Sequence, residues 1–168
     1  MKTITRSNIY LPMAAMILTA ALAVPAAAQK QVPFKGALQG NDTDTGPTTV
    51  ATRGTGIGTH LGQFTFTLEI TVNIAVLTDT GSAHFIAANG DTIDATFVGS
   101  AEPTVTPDGV VFSITEIYTI TGGTGRFAGV QGSFTLTKYH DRVPRSDGIT
   151  HGTCGFYRGT ITPPGAAH

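Results

Sequence analysis

The chain is poor in cysteine, tryptophan and charged residues. Its 168 residues include one cysteine, Cys154, so no internal disulfide can form and the fold must be held by its core. We expect Cys154 to be a small buried apolar side chain. Tryptophan is absent and tyrosine is rare, which argues against the aromatic girdles of a membrane-spanning barrel. Long helix-favouring runs are also missing from residues 29–168, whereas Thr and Gly are abundant.

The first 28 residues have the pattern of a secretory signal peptide. Lys2 and Arg6 precede an uncharged, mostly apolar stretch, and Ala26-Ala27-Ala28 fits the small-x-small pattern of a cleavage site. We therefore predict cleavage between Ala28 and Gln29, a mature domain of residues 29–168, and a secreted or periplasmic location. The alternative is an uncleaved membrane anchor, but the apolar stretch is shorter than the ~20 residues that span a bilayer.

The charge of the mature part is slightly negative. Removal of Lys2 and Arg6 leaves eight basic residues against eleven acidic ones, a net charge of −3. Nucleic-acid binding needs a basic footprint, and attraction to anionic lipid needs a basic patch. We therefore predict neither a nucleic-acid partner nor membrane association after signal cleavage. The oligomeric state is left open.

Alternating apolar and polar residues predict β-strands. The clearest segment is Gln63 to Ile74, in which every second residue from Phe64 onward is apolar. Similar, shorter patterns bring the number of strands to about eight, joined in order by short loops. Such a chain most economically closes into a single eight-stranded antiparallel up-and-down barrel, which leaves no unpaired edge; a sandwich is the alternative. A barrel of eight strands has room for packed side chains or one small ligand.

Turn-forming residues predict the connections between these strands. Asn41 to Pro47 is predicted to be a loop; within it, Asp42-Thr43-Asp44-Thr45-Gly46 begins like a calcium loop but lacks the later carboxylates, so we interpret it as a solvated turn. Asp79-Thr80-Gly81 is predicted to be a turn. Asn89-Gly90 predicts a two-residue type I′ hairpin turn, in which both residues have positive φ.

A glycine-rich run between two predicted strands indicates a structural loop. Its spacing matches that of a dinucleotide-binding loop, but that motif needs a helix directly after it, and here another strand follows. We expect positive φ at several of its positions and Phe127 to plug one end of the barrel. The residues assigned to this loop are Gly123, Gly125, Arg126, Phe127, Gly129 and Gly132.

The same run carries a resemblance to a known group. Gly122 to Phe134 reads GGTGRFAGVQGSF and resembles the GGTGRFAGATGSF signature of bacterial proteins with the allene oxide cyclase and dirigent type of β-barrel. The segments Ala87 to Asp91 and Thr59 to Thr71 are also similar to that group. The resemblance implies an eight-stranded barrel with a central cavity, in a group whose named members bind apolar substrates and steer cyclisation or radical coupling. It assigns no catalytic residue in this sequence.

Other catalytic or cofactor motifs are missing from the sequence. The histidines form no H-x-H or H-x-x-x-H pair, so no metal site is predicted, and no Gly-x-Ser-x-Gly elbow supports a hydrolase. We predict no cofactor.

Glu116 is the most informative single residue. It lies on the apolar face of a strand, together with Phe112, Ile114 and Tyr118, and a buried carboxylate must be paired or protonated. Lys138 and Arg158 lie on strands whose alternation points them inward as well, if Phe134 and Leu136 mark the inner face of the first strand and Phe156 that of the second. The alternatives are a position at the barrel rim or a structural ion pair. The ligand-binding candidates are Phe112, Ile114, Glu116, Tyr118 and Arg158, and the only catalytic candidate is Glu116.

Three functions remain open from the sequence. The first is an exported barrel that binds a small apolar ligand, or a protein, without catalysis. The second is an isomerase or cyclase that acts on an apolar substrate with a buried acid. The third is a purely structural or interaction barrel, which would be packed solid.

Overall fold

Eight strands account for most of the chain in the computed structural model, which describes residues 30–142 and 146–165. The predicted signal peptide lies outside these residues. The strands are β1 (Val32–Gly46), β2 (Thr49–Gly58), β3 (Gly62–Asn73), β4 (Thr78–Ala87), β5 (Thr92–Thr106), β6 (Gly109–Gly123), β7 (Gly132–Asp141) and β8 (Thr150–Ile161). Within the described ranges the only helical segment is a single 3-10 turn, Gly125–Phe127, and no helix is long and apolar enough to cross a membrane.

The strands form one closed antiparallel barrel in the order β1 to β8. Each strand pairs with the next along the chain, and the barrel closes where β1 pairs with β8, from Val32 opposite Ile161 to Thr43 opposite Thr150. The prediction of an eight-stranded antiparallel up-and-down barrel is confirmed. The strand predicted from Gln63 to Ile74 is confirmed except at its end: β3 buries its alternate residues from Phe64 to Ile70, but it ends at Asn73, and Ile74 is 62% exposed.

Aromatic side chains fill one half of the barrel interior. The Tyr118 and Phe134 rings stack with centroids 4.6 Å apart, and Phe97 stacks on the other side of Tyr118 at 4.7 Å. Interior glycines on β2 leave the space that these large rings need: a methyl group on Gly56 would lie 2.2 Å from the Phe64 ring. This half ends at a cap of buried apolar residues, Leu61, Phe127, Val130 and Ile161. We call it the closed end.

The glycine-rich loop forms part of that cap. Gly125 and Gly129 have φ of +56° and +73°, as expected for a loop that needs left-handed backbone. Phe127 is fully buried at the closed end, so its predicted plugging position is confirmed. Arg126 is exposed, and its guanidinium lies 3.6 Å from Asp91. Gly123 and Gly132 allow close backbone approaches, since a methyl group on either would lie within 2.6 Å of a carbonyl oxygen.

The hairpin at Asn89-Gly90 is present, but its predicted turn type is wrong. Only Gly90 has positive φ, at +88°. The connection is a three-residue loop, Ala88 to Gly90, in which the Gly90 N–H donates to the Ala87 carbonyl at 2.9 Å. A left-handed glycine at the third loop position gives the same change of direction as the two-residue turn.

Two other predicted turns are strands. Asn41 to Gly46 continues β1 beside β2, and Asn41 to Thr43 also pairs with β8. Asp79 to Gly81 lies within β4. Cys154 was expected to be buried and is exposed on the outer wall. The two turn predictions relied on local residue preferences, whereas pairing with neighbouring strands determined the backbone conformation. The prediction for Cys154 relied on residue type, whereas its position in β8 places its side chain on the outer face.

Candidate functional site

The half of the barrel opposite the aromatic cap contains a cavity of about 300 Å³. It lies where β1, β3, β5 and β7 end and β2, β4 and β6 begin, and we call this the open end. Its apolar walls include Val50, Ile70, Val72, Phe112 and Ile114. Its titratable lining residues are Asp42, Asp44, Asp79, Lys138, His140 and Arg142, and three threonines, Thr48, Thr49 and Thr78, complete the polar part.

A larger groove of about 990 Å³ lies on the outside of the barrel. It is lined by outward-facing side chains such as Ile57, Tyr139 and Phe156, each close to half exposed or more. Because this groove is a surface depression, it does not enclose a ligand in the way that the cavity at the open end does.

A buried ion pair lies directly beneath this cavity. Lys138 Nζ on β7 is 2.7 Å from Glu116 Oε1 on β6, and the two side chains are 1% and 0% exposed. The Tyr118 hydroxyl donates to Glu116 Oε2 at 2.7 Å. Burial lowers the pKa of Lys138, but the charges of Glu116 and Asp42 outweigh that effect and the net pKa is raised, so the amine stays protonated. Glu116 therefore lies inside the barrel, as predicted, and is held by a cation.

That cation is Lys138, one of the two basic residues whose strand alternation pointed them inward. Arg158 was predicted to face the interior, and this is wrong: it is exposed on the outer wall, while its neighbour Tyr157 points inward. The error comes from taking Phe156 as an inward residue, although its side chain is 48% exposed. Most interior positions of β8 are small or polar, so the usual apolar alternation gave the wrong phase; they are His151, Thr153, Gly155, Tyr157, Gly159 and Ile161.

The other ligand-binding candidates divide between two levels of the barrel. Phe112 and Ile114 line the cavity. Tyr118 lies deeper, stacked among the aromatic rings, and reaches the polar level only through its hydroxyl. Burial raises the pKa of Tyr118 well above its ordinary value, with Glu116 adding to the effect, so the phenol remains a hydrogen-bond donor.

Asp42 was missed as an interior residue by the sequence analysis. It is 1% exposed, accepts a hydrogen bond from the Thr52 hydroxyl and contacts Nδ1 of His140. Burial acts to raise its pKa, but the hydrogen bond with His140 and the charge of Lys138 outweigh it, so the pKa is lowered and Asp42 is ionised. The signal that could have found it is parity, because Phe34, Leu38 and Asp42 share one face of β1.

Asp79 is the second residue that the sequence analysis missed. It is 7% exposed, and its Oδ1 has no hydrogen-bond partner among the described residues. Gly99 lies between Asp79 and Glu116 in the sheet, and a methyl group there would be 2.4 Å from Asp79 Oδ1 and 2.7 Å from Glu116 Cγ. Burial, together with the charge of Glu116, raises the pKa of Asp79 to about 6.

The rim of the cavity carries a third set of polar contacts. Arg142 donates to both carboxylate oxygens of Asp44, at 3.1 and 3.4 Å. His151 Nε2 lies 3.6 Å from Asp44, and the rings of His140 and His151 are 5.1 Å apart. Across residues 30–142 and 146–165, no group of three or more His, Cys, Asp or Glu side chains is placed to hold a metal ion.

Comparison with known proteins identified no relative of this chain. No protein-family model, curated protein or solved structure matches the chain. Function is therefore inferred from the cavity and its charges.

Proposed function

We propose that this protein is an exported β-barrel that binds a small, mainly apolar ligand in the cavity at the open end. One observation carries the proposal: the stacked aromatic rings of the core fill only one half of the barrel, and the other half encloses about 300 Å³ between mainly apolar walls. That volume is at the lower limit of known ligand pockets, so the ligand is about the size of one substituted ring. A purely structural barrel would have no reason to keep this space open.

Two further properties belong to the same proposal. Export is supported by the signal-like pattern of residues 1–28. Kinship with the allene oxide cyclase and dirigent type of barrel is supported by the glycine-rich run, and an eight-stranded barrel with a cavity is what that resemblance implies.

A cavity-filling substitution tests the proposal. Ile114 faces the cavity and is 9% exposed, whereas Ile117 lies on the outer face of the same strand and is 56% exposed. With benzyl alcohol as the probe in calorimetric or NMR titrations, Ile114→Trp should weaken binding at least tenfold, and Ile117→Trp should leave it unchanged. Thermal melts of both variants verify that the barrel is intact. Ile114→Phe fills less of the cavity than Ile114→Trp and should weaken binding less. If the unaltered protein binds no benzyl alcohol, or both Trp variants bind it equally, the proposal is wrong.

An isomerase or cyclase acting on an apolar substrate is the second candidate, and Asp79 is the observation that favours it. A carboxyl group with a pKa of about 6 on a cavity wall can accept and return a proton near neutral pH. Glu116 is less suited to this role because Lys138 holds it as a buried ion pair. Deuterium exchange at the α-carbons of cyclohexanone in D₂O tests the candidate. Exchange no faster than with the Asp79→Asn variant would count against it.

A further inference from the structure

The carboxylates in and beneath the open-end cavity have basic partners, with one exception. Glu116 is paired with Lys138, Asp42 with His140, and Asp44 with Arg142. Asp79 lines the same cavity, but no cation lies within ion-pair distance of it in the described part of the chain. The cavity therefore holds one buried carboxylate whose counter-ion the protein does not supply.

The groups around Asp79 make its unpaired negative charge energetically unfavourable. From β6, Glu116 adds a like charge; from β7, Lys138 is attractive, but its ammonium lies against Glu116. Asp42 on β1 is ionised and contacts His140 on β7. Tyr118 on β6 is a neutral phenol. His151 on β8 is buried, and its Nε2 lies 3.6 Å from Asp44 on β1. The inward positions of β3 and β5 around Asp79 are Ile70, Val72, Gly99 and Ala101, which bring no charge. A second cation in the cavity would offset both the free-energy cost of burying the Asp79 charge and the repulsion between Asp79 and Glu116.

We infer that the ligand of this cavity has an apolar body and one amino group, and that its ammonium pairs with Asp79. This inference rests on the proposed function and adds the chemical class of the ligand. The walls formed by Val50, Phe112 and Ile114 accept the apolar body, and Asp79 on β4 accepts the charge. An anionic head group would meet Asp42 and Asp79 together, while Lys138 and Arg142 are already occupied by Glu116 and Asp44.

Three probes with the same ring test this inference: benzylamine, benzyl alcohol and benzoate. At pH 7.5 benzylamine should bind at least tenfold more tightly than benzyl alcohol, and benzoate most weakly. Asp79→Asn should reduce the affinity for benzylamine to that for benzyl alcohol. Asp94→Asn serves as the matched control, because Asp94 is a carboxylate on the outer side of the barrel, 47% exposed beside His84; it should leave the preference for the amine intact.

The pH dependence gives an independent readout. Benzylamine stays protonated from pH 4.5 to 7.5, so its affinity should fall as Asp79 gains a proton below pH 6, whereas that of benzyl alcohol should stay constant. Equal binding of amine and alcohol, or a preference that survives Asp79→Asn, would overturn the inference but leave the apolar pocket standing. Failure of all three probes to bind would instead refute the proposed function itself.

Discussion

Replacement of Asp79 by Asn should stabilise the barrel, and the gain should depend on pH. In the folded protein the pKa of Asp79 is raised from 3.8 to about 6, so the folded state binds its proton more tightly than the unfolded chain does. Stability is therefore highest when Asp79 is protonated and is lost as pH rises between about 4 and 6. At 1.36 kcal/mol for each tenfold change in proton affinity, the full loss above pH 6 is on the order of 3 kcal/mol.

The variant removes this loss because Asn carries no charge at any pH. An amide has its own cost in a buried position, but that cost is the same at every pH and cancels in a comparison between two pH values. From the protonation equilibria of Asp79 in the folded and unfolded states, ionisation destabilises the parent protein by about 1 kcal/mol at pH 4.5 and by about 3 kcal/mol at pH 7.5. The advantage of Asp79→Asn over the parent should therefore grow by about 2 kcal/mol between these two pH values.

Urea denaturation followed by far-UV circular dichroism measures this difference, since the chain has no tryptophan to report by fluorescence. Asp108→Asn is a suitable control, because Asp108 is an exposed carboxylate in the turn between β5 and β6 and its replacement should change stability little at either pH. An advantage of Asp79→Asn that is equal at both pH values would show that Asp79 carries no ionisation cost. An advantage that shrinks as pH rises would show that Asp79 is paired with a cation in solution.

Three further predictions concern the rest of the molecule. Lys138→Met should lower the free energy of unfolding in urea by about 3–5 kcal/mol, because it leaves the buried Glu116 carboxylate without its cation, whereas Lys35→Met on the exposed face of β1 should lower it little. Similar losses for both would show that the Glu116–Lys138 ion pair does not stabilise the barrel. Gly125→Val should lower the melting temperature more than Gly90→Val. Both glycines have positive φ, but only a side chain at position 125 would also displace a neighbour, the Asp91 carboxylate. A larger decrease for Gly90→Val would contradict this explanation. We predict that the mature protein begins within a few residues of Gln29, and N-terminal sequencing that returns Met1 would show that residues 1–28 are not removed.

The barrel could be predicted from the sequence because its evidence is spread over many residues. In β3, the alternation from Phe64 to Ile70 marks a strand with one buried face, and similar patterns recur at short intervals. A chain of strands joined in order has few ways to bury these faces without leaving an edge. The exact ends of the strands were harder to predict, because Asn, Asp, Thr and Gly near the open end favour turns locally but are held in the sheet by pairing with neighbouring strands.

The candidate site was predicted only where a polar residue interrupts an apolar pattern. Glu116 stands out because Ile114 and Tyr118 flank it on the same face. Asp79 does not stand out, because it is the second residue of its strand, is followed by Thr80 and Gly81, and resembles a turn residue. Arg158 was misplaced because the interior of β8 is made mainly of small and polar residues, so the outward Phe156 appeared to mark the buried face. Which carboxylate meets which cation depends on the register across strands that are distant in sequence.

The pairing of β1 with β8 has a consequence for how this chain reaches its native state. Val32 and Ile161 are 129 positions apart, and they become partners only when the last strand has been made. Until then the first strand exposes an unpaired edge, which is a template for association with other chains. Contacts this distant in sequence also make folding slow, because the loop must close before the pairing stabilises it. A chain that ends before Thr150 would therefore have two open edges and no barrel, so truncation at the C-terminus should produce aggregates rather than a smaller folded domain.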